Sequence, residues 1–265
     1  MTGASAGVEM FARYAHAPNA LGYCGPADTT ALATGTESEI RAAAREFSGA
    51  WPYLRIMSAM TGVADPLDRR LVESYWLGGG LGARLDPAEF LSELLALIGP
   101  LAQGYWHHLT PALGGEACAN HSFHVFGVYP WSWLLGRAPA AEPVRILDSC
   151  RITWARVCDR TSGALTVRAR HLRWDGHRLS LSPNTVRALD VTGYAGRPDI
   201  ERIGVGDHVA LHWDHVCGRI DPAQLRTLAA STARQLTATN RRLAARVDGA
   251  PGASAGSAIS RAGAQ

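Results

Sequence analysis

Gly206-Asp207-His208-Val209-Ala210-Leu211-His212, followed shortly by Arg219-Ile220-Asp221-Pro222, decides the reading of the C-terminal half. Its first part has the β-branched and aliphatic residues of a strand, while Asp221-Pro222 places an N-cap before a proline at the first helical position. The chain therefore passes here from sheet to a helix with Leu225, Leu228, Ala229, Thr232 and Leu236 on one apolar face. Upstream, residues 152–158, 164–174, 178–181 and 185–191 also read as short strands, and Asp175-Gly176 is a hairpin signal. Five strands in so short a span, with 208–216 as the fifth, predict a small closed barrel.

Before Arg137 to Pro143 the texture is helical. Thr36-Glu37-Ser38-Glu39 is a capping box, and Asp65-Pro66 and Asp86-Pro87 each read as a helix start. Phe90, Leu91, Leu94, Leu95 and Ile98 then fall on one helical face that ends at Gly99-Pro100. The expected fold class is α+β. A mostly helical domain over 1–143 precedes an OB-like barrel plus helix over 144–246 and a disordered Ala/Gly/Ser-rich tail over 247–265.

Composition narrows the function. In 265 residues, 47% are apolar and 18% charged, enough for one large core or two modest ones. The net charge of +3, carried without any lysine, is too small and scattered to predict nucleic-acid binding. Arg168, Arg170, Arg173 and Arg178 read as a solvated edge, and without lysine there is no GxxxxGK phosphate loop. Gly78-Gly79-Gly80-Leu81-Gly82 follows a helix and reads as a linker. No apolar run reaches the roughly 18 residues of a membrane span, and no signal peptide is evident, so a cytoplasmic location is expected. Cys24, Cys118, Cys150, Cys158 and Cys217 form no CxxC pair and read as free thiols.

Two residues stand out as metal ligands, Cys150 at the opening of the β region and His212 at the end of the Gly206 strand. A thiolate and a neutral imidazole suit a soft, low-spin ferrous ion, and Arg151 is a candidate to stabilise the thiolate. Cys150 with Arg156-Val157, Gly206-Asp207-His208-Val209 with His212, and Arg219-Ile220-Asp221 together resemble the HypC/HupF chaperones of nickel-iron hydrogenase maturation, over roughly residues 147–240. That resemblance implies that Cys150 and His212 hold an iron fragment bearing cyanide and carbon monoxide. It also implies a hydrogenase large subunit or a HypD-like scaffold as partner, and an accessory carrier rather than an enzyme. Unlike the family's terminal cysteine, Cys150 is internal and offers no free amine. The whole chain, with Tyr23-Cys24-Gly25-Pro26 and His121-Ser122-Phe123-His124-Val125-Phe126, also resembles an uncharacterised actinobacterial family.

Two other readings compete. Cys24, in a turn enforced by Gly and Pro, is a candidate nucleophile with His121 or His124 as its base. Against this, residues 121–129 alternate like a strand, which sends His121 and His124 to opposite faces; His215 meets the same objection beside His212 unless the chain bends at Asp214. Cys118-x-x-His121-x-x-His124 with His107-His108 has metal-like spacing on the same condition. Alternatively, Tyr75-Trp76, Tyr105-Trp106 and Trp131-Ser132-Trp133 line an interface of a protein that does no chemistry.

Overall fold

A computed structural model of the protein describes residues 3–99, 108–137, 139–194 and 197–248. His107, the Tyr105-Trp106 pair, part of the 194–198 loop and most of the Ala/Gly/Ser-rich tail lie outside the described residues.

Helices dominate the first half: α1 (Gly3–Ala20), α2 (Thr30–Thr34), α3 (Glu37–Arg45), α4 (Ala50–Thr61), α5 (Arg69–Leu77) and α6 (Pro87–Ile98). Local caps explain two of these starts. Thr36 and Glu39 satisfy each other's backbone N–H groups at the head of α3, and the Asp86 carboxylate accepts from Ala88 and Glu89 ahead of Pro87 in α6. Asp65-Pro66 differs from expectation. The Asp65 carboxylate accepts from Leu67 N–H and from both terminal nitrogens of Arg41, which closes a turn, and α5 starts later with Asp68 as its cap.

After this come the short α7 (His121–Phe123), a π-helical turn over His124–Val128, α8 (Trp131–Leu134) and α9 (Ala141–Cys150). The sheet region contains β1 (Thr153–Arg160), β2 (Ala164–Ala169), β3 (Leu172–Trp174), β4 (Leu179–Leu181), β5 (Thr185–Asp190), α10 (Pro198–Glu201), β6 (His208–His212) and β7 (His215–Ile220). It ends in α11 (Pro222–Asp248), capped by Asp221, whose carboxylate accepts from Ala223 and Gln224.

The protein is mixed helix and antiparallel sheet, but the expected barrel is corrected: the five-stranded sheet has the order β5-β2-β1-β6-β7 and stays open. Two chain events prevent closure. The run 208–216 is not one strand, because Trp213 and Asp214 adopt positive φ of 50° and 61° and fold it into the β6–β7 hairpin. The run 164–174 also breaks, since His171 and Leu172 turn to bond Asp148 of α9, and β3 then pairs only with β4 around Asp175-Gly176. The strands needed to complete a barrel are thereby drawn into a separate ribbon.

Strand alternation sets the packing. Val209 and Leu211 of β6 join one apolar cluster with Ile200 and Ile203, while Ala210 between them joins a larger one shared with α1, α4 and α5. Ile152, Cys217, Ile220 and Leu228 belong to that same larger cluster, so helices and sheet share a core.

Candidate metal centre

The three donors come from three elements. Cys150 is the last residue of α9, His212 the last of β6 and His121 the first of α7. Their ligand atoms lie within 4.8 Å of one another, and all three residues are buried. Thus Cys150 and His212 of the sequence reading do meet, although Cys150 ends a helix and does not open a strand.

His121 and His124 reach the same place because the expected strand over 121–129 is helical. Asn120 caps it, its side chain accepting from Phe123 N–H at 3.1 Å, and the chain continues into the π turn. Residues three apart on a helix share a face, so the two imidazoles stack at 5.9 Å between centroids instead of diverging. Asn before His121 was the available signal. π turns recur at functional sites because they widen the helix and redirect side chains.

These residues line a cavity of about 240 Å³ with Cys24, Tyr53, Tyr75 and Trp76. Tyr23 and Ser48, both exposed, also line it and give it contact with solvent. Gly49 is required in the wall, since a Cβ there would sit 2.9 Å from His124 Nε2. The turn bearing Cys24 is held by Asn19, which donates to the carbonyls of Cys24 and Pro26, and by Tyr23 stacked 3.9 Å from Trp213 in the β6–β7 turn.

Hydrogen bonding fixes the tautomers. A carbonyl can only accept, so His212 carries its proton on Nδ1, 2.6 Å from Tyr14 O, and its Nε2 lone pair is left over. That Nε2 is buried without a hydrogen bond of ordinary geometry, although the Cys150 backbone lies close enough to His212 to favour its protonated form. His121 donates from Nε2 to Cys150 O at 2.8 Å and accepts at Nδ1 from the Tyr75 hydroxyl at 3.1 Å. Ligation through that Nδ1 requires the hydroxyl to move.

Burial keeps the cavity uncharged. It lowers His124 and His212 to about 4 and His121 well below its ordinary value, so all three imidazoles are neutral at pH 7. It raises the Cys150 thiol strongly, with a further increase from Cys24, and pushes Cys24 up to about 12. The C-terminal position of Cys150 on α9 adds no help to a thiolate, because the helix dipole is negative there. Nor does Arg151, contrary to expectation: its guanidinium is bonded to Asp148 and to the carbonyl of Arg170. The Trp213 side chain favours the thiolate, and burial outweighs it. The same conditions disfavour Cys24 as a nucleophile, since no cation offsets its burial.

Four polar atoms of lining residues are buried without a hydrogen-bond partner: Tyr53 Oη, Trp76 Nε1, His124 Nδ1 and His212 Nε2. Tyr53 was not legible as a site residue, because its role arises from packing; Tyr75 and Trp76 were visible only as aromatics of a candidate interface.

The remaining sequence candidates lie elsewhere. His215 turns at Trp213-Asp214 toward His16 and Tyr194, Cys217 is a core thiol, and Cys118 and Cys158 are half-buried. His108 bonds Val128 O, and Trp133 is flanked by Arg242 and Arg246 at 4.1 and 3.8 Å. The four arginines of the β2–β4 region are exposed, and no helix among the described residues is long and apolar enough to cross a membrane.

Among known families, the model described as a family of unknown function, DUF6390, matches residues 3–246. It agrees with the whole-chain resemblance to an uncharacterised family and gives no support to the HypC/HupF resemblance. No curated protein and no solved structure matches the chain.

Proposed function

The chain belongs to this DUF6390 family, whose function is unknown, and from the chemistry of its cavity we propose that it carries a soft metal fragment as cargo on Cys150 and His212. The observation behind this reading is the convergence of a thiol, an unpartnered imidazole nitrogen and a second imidazole within 4.8 Å. The donor types suit a low-spin ferrous ion more than a hard cation, which would call for carboxylates.

The cargo is further narrowed by charge. A bare divalent ion bound by one thiolate would leave net positive charge in an apolar cavity, which is costly. With the thiolate counted, a ferrous ion bearing one cyanide is neutral and one bearing two cyanides carries a single negative charge spread over its ligands, whereas the bare ion keeps its positive charge on the metal. On this reading the protein is an accessory carrier in nickel-iron hydrogenase maturation, with an immature large subunit or a HypD-like scaffold as partner. Loading replaces the Cys150 S–H bond by an S–Fe bond and releases one proton to solvent. Delivery reverses the exchange, as a thiolate of the acceptor takes the iron and Cys150 is reprotonated.

Anaerobic co-expression with the maturation machinery followed by infrared spectroscopy tests this. Cyanide and carbonyl stretching bands are expected in wild type and in Cys24→Ala, and not in Cys150→Ala. Their absence from wild type in a competent host overturns the reading. A Cys24-based enzyme would instead show rapid alkylation of Cys24 by iodoacetamide at neutral pH, and slow reaction is expected.

A further inference from the structure

The cavity is much larger than a metal ion needs. Its volume of about 240 Å³ exceeds the roughly 150 Å³ of an apolar cavity that takes up benzene, so it has room for a substituted ring or two fused rings. Its wall is of one chemical kind. Phe47, Tyr53, Tyr75, Trp76 and Tyr129 supply ring surface and Val128 aliphatic surface, and no Arg, Asp or Glu is among the described residues that line it. By contrast, the pocket between α4 and α6 carries Arg55, Glu89 and Glu93. The rings hold one another in place, with Tyr53 and Tyr75 centroids 5.3 Å apart, Tyr53 and Phe90 5.4 Å apart, and Tyr75 and Trp76 4.8 Å apart. The space is therefore formed before anything enters it. Exposed Tyr23 and Ser48 sit at its rim, where the Tyr23 hydroxyl accepts from Arg145 at 3.3 Å.

We infer that this cavity is a binding site for an uncharged, predominantly apolar small molecule of roughly ten non-hydrogen atoms. Such a molecule gains by leaving water for the ring-lined space. An organic ion of the same size loses its hydration there and meets no opposite charge, so the wall rejects it. The inference does not rest on the carrier reading, since these walls form without any metal contact.

The full-length protein, treated with a chelator, is titrated at neutral pH with indole, with acetophenone and with benzoate, which matches acetophenone in size but is an anion. Calorimetry and saturation-transfer NMR follow binding. Both neutral probes are expected to bind with a Kd on the order of 0.1 mM, and benzoate at least about a hundredfold more weakly. Ala50 is buried and lines the cavity, so Ala50→Leu narrows the space and should weaken acetophenone about tenfold or more. Circular dichroism reports whether that variant is folded, and Val128→Phe replaces it if it is not. Saturable binding of neither neutral probe, benzoate within about tenfold of acetophenone, or unchanged affinity in a folded cavity-filling variant each overturns the inference. Because no metal is present, none of these results bears on the infrared test of the carrier reading.

Discussion

At the level of single residues, the protonation states of the cavity make two predictions. Cys150 is protonated at neutral pH because burial raises its thiol, so metal binding must expel that proton. Apparent affinity for Co(II), followed by the thiolate-to-cobalt charge-transfer band, should rise about tenfold per pH unit between pH 6 and 8. A flat profile would show that the thiol is already ionised or is not a ligand. The imidazoles give an opposite constraint. His124 and His212 are held near 4 in the fold, against 6.5 when exposed, so the unfolded chain binds more protons between these values. Their contribution is fully present above pH 6.5 and is lost as pH falls toward 4, on the order of 3 kcal/mol each. Urea unfolding of the metal-free protein should show that decline, and it should be smaller in His124→Gln. Neither prediction was available from the sequence, because both depend on burial.

Among the elements, helix starts that depend on residues next to one another were legible. Thr36 with Glu39, Asp86-Pro87 and Asp221-Pro222 each satisfy backbone N–H groups within one turn, so no distant contact is needed to make them work. The 121–129 segment was not legible, since apolar residues are so dense there that alternation is produced whether the chain is extended or coiled. Its helical form is held from outside. Arg242 of α11 donates to Glu116 at 2.6 Å, to Phe126 O at 2.7 Å and to Ser132 Oγ at 3.2 Å, tying the last helix to the π turn. With side chains 11% and 9% exposed, the Arg242–Glu116 pair is nearly buried. Arg242→Met should therefore cost about 3–5 kcal/mol by leaving Glu116 uncompensated, measured by denaturant unfolding. The Glu116→Gln, Arg242→Met double variant should recover part of that loss; equal losses in single and double variants would argue against coupling.

For the whole molecule, the candidate metal donors lie where the helical and sheet halves meet. α7 and α9 supply His121 and Cys150, β6 supplies His212, and α1 orients His212 through Tyr14 O. A ligand bridging these elements binds only the folded form, so Co(II) at one hundred times its Kd should stabilise the protein by about 2.7 kcal/mol. Calorimetry should show a matching rise in Tm for wild type and none for Cys150→Ala. The open sheet belongs to this scale too. With Trp213 and Asp214 in left-handed conformations, β7 folds back beside β6 and Tyr23 stacks on Trp213, which brings the Cys24 turn over the cavity. A continuous strand through 208–216 would have carried that corner away.

Residues adjacent in the sequence determined the caps of α3, α6 and α11, the Asp175-Gly176 hairpin and most strands, since these follow from side-chain chemistry and short-range hydrogen bonding. Only the tertiary structure decided that the sheet stays open, that His121 and His124 share a face, and that their cavity is uncharged. Those properties come from burial and from contacts between residues remote along the chain, and neither has a signature in residue spacing.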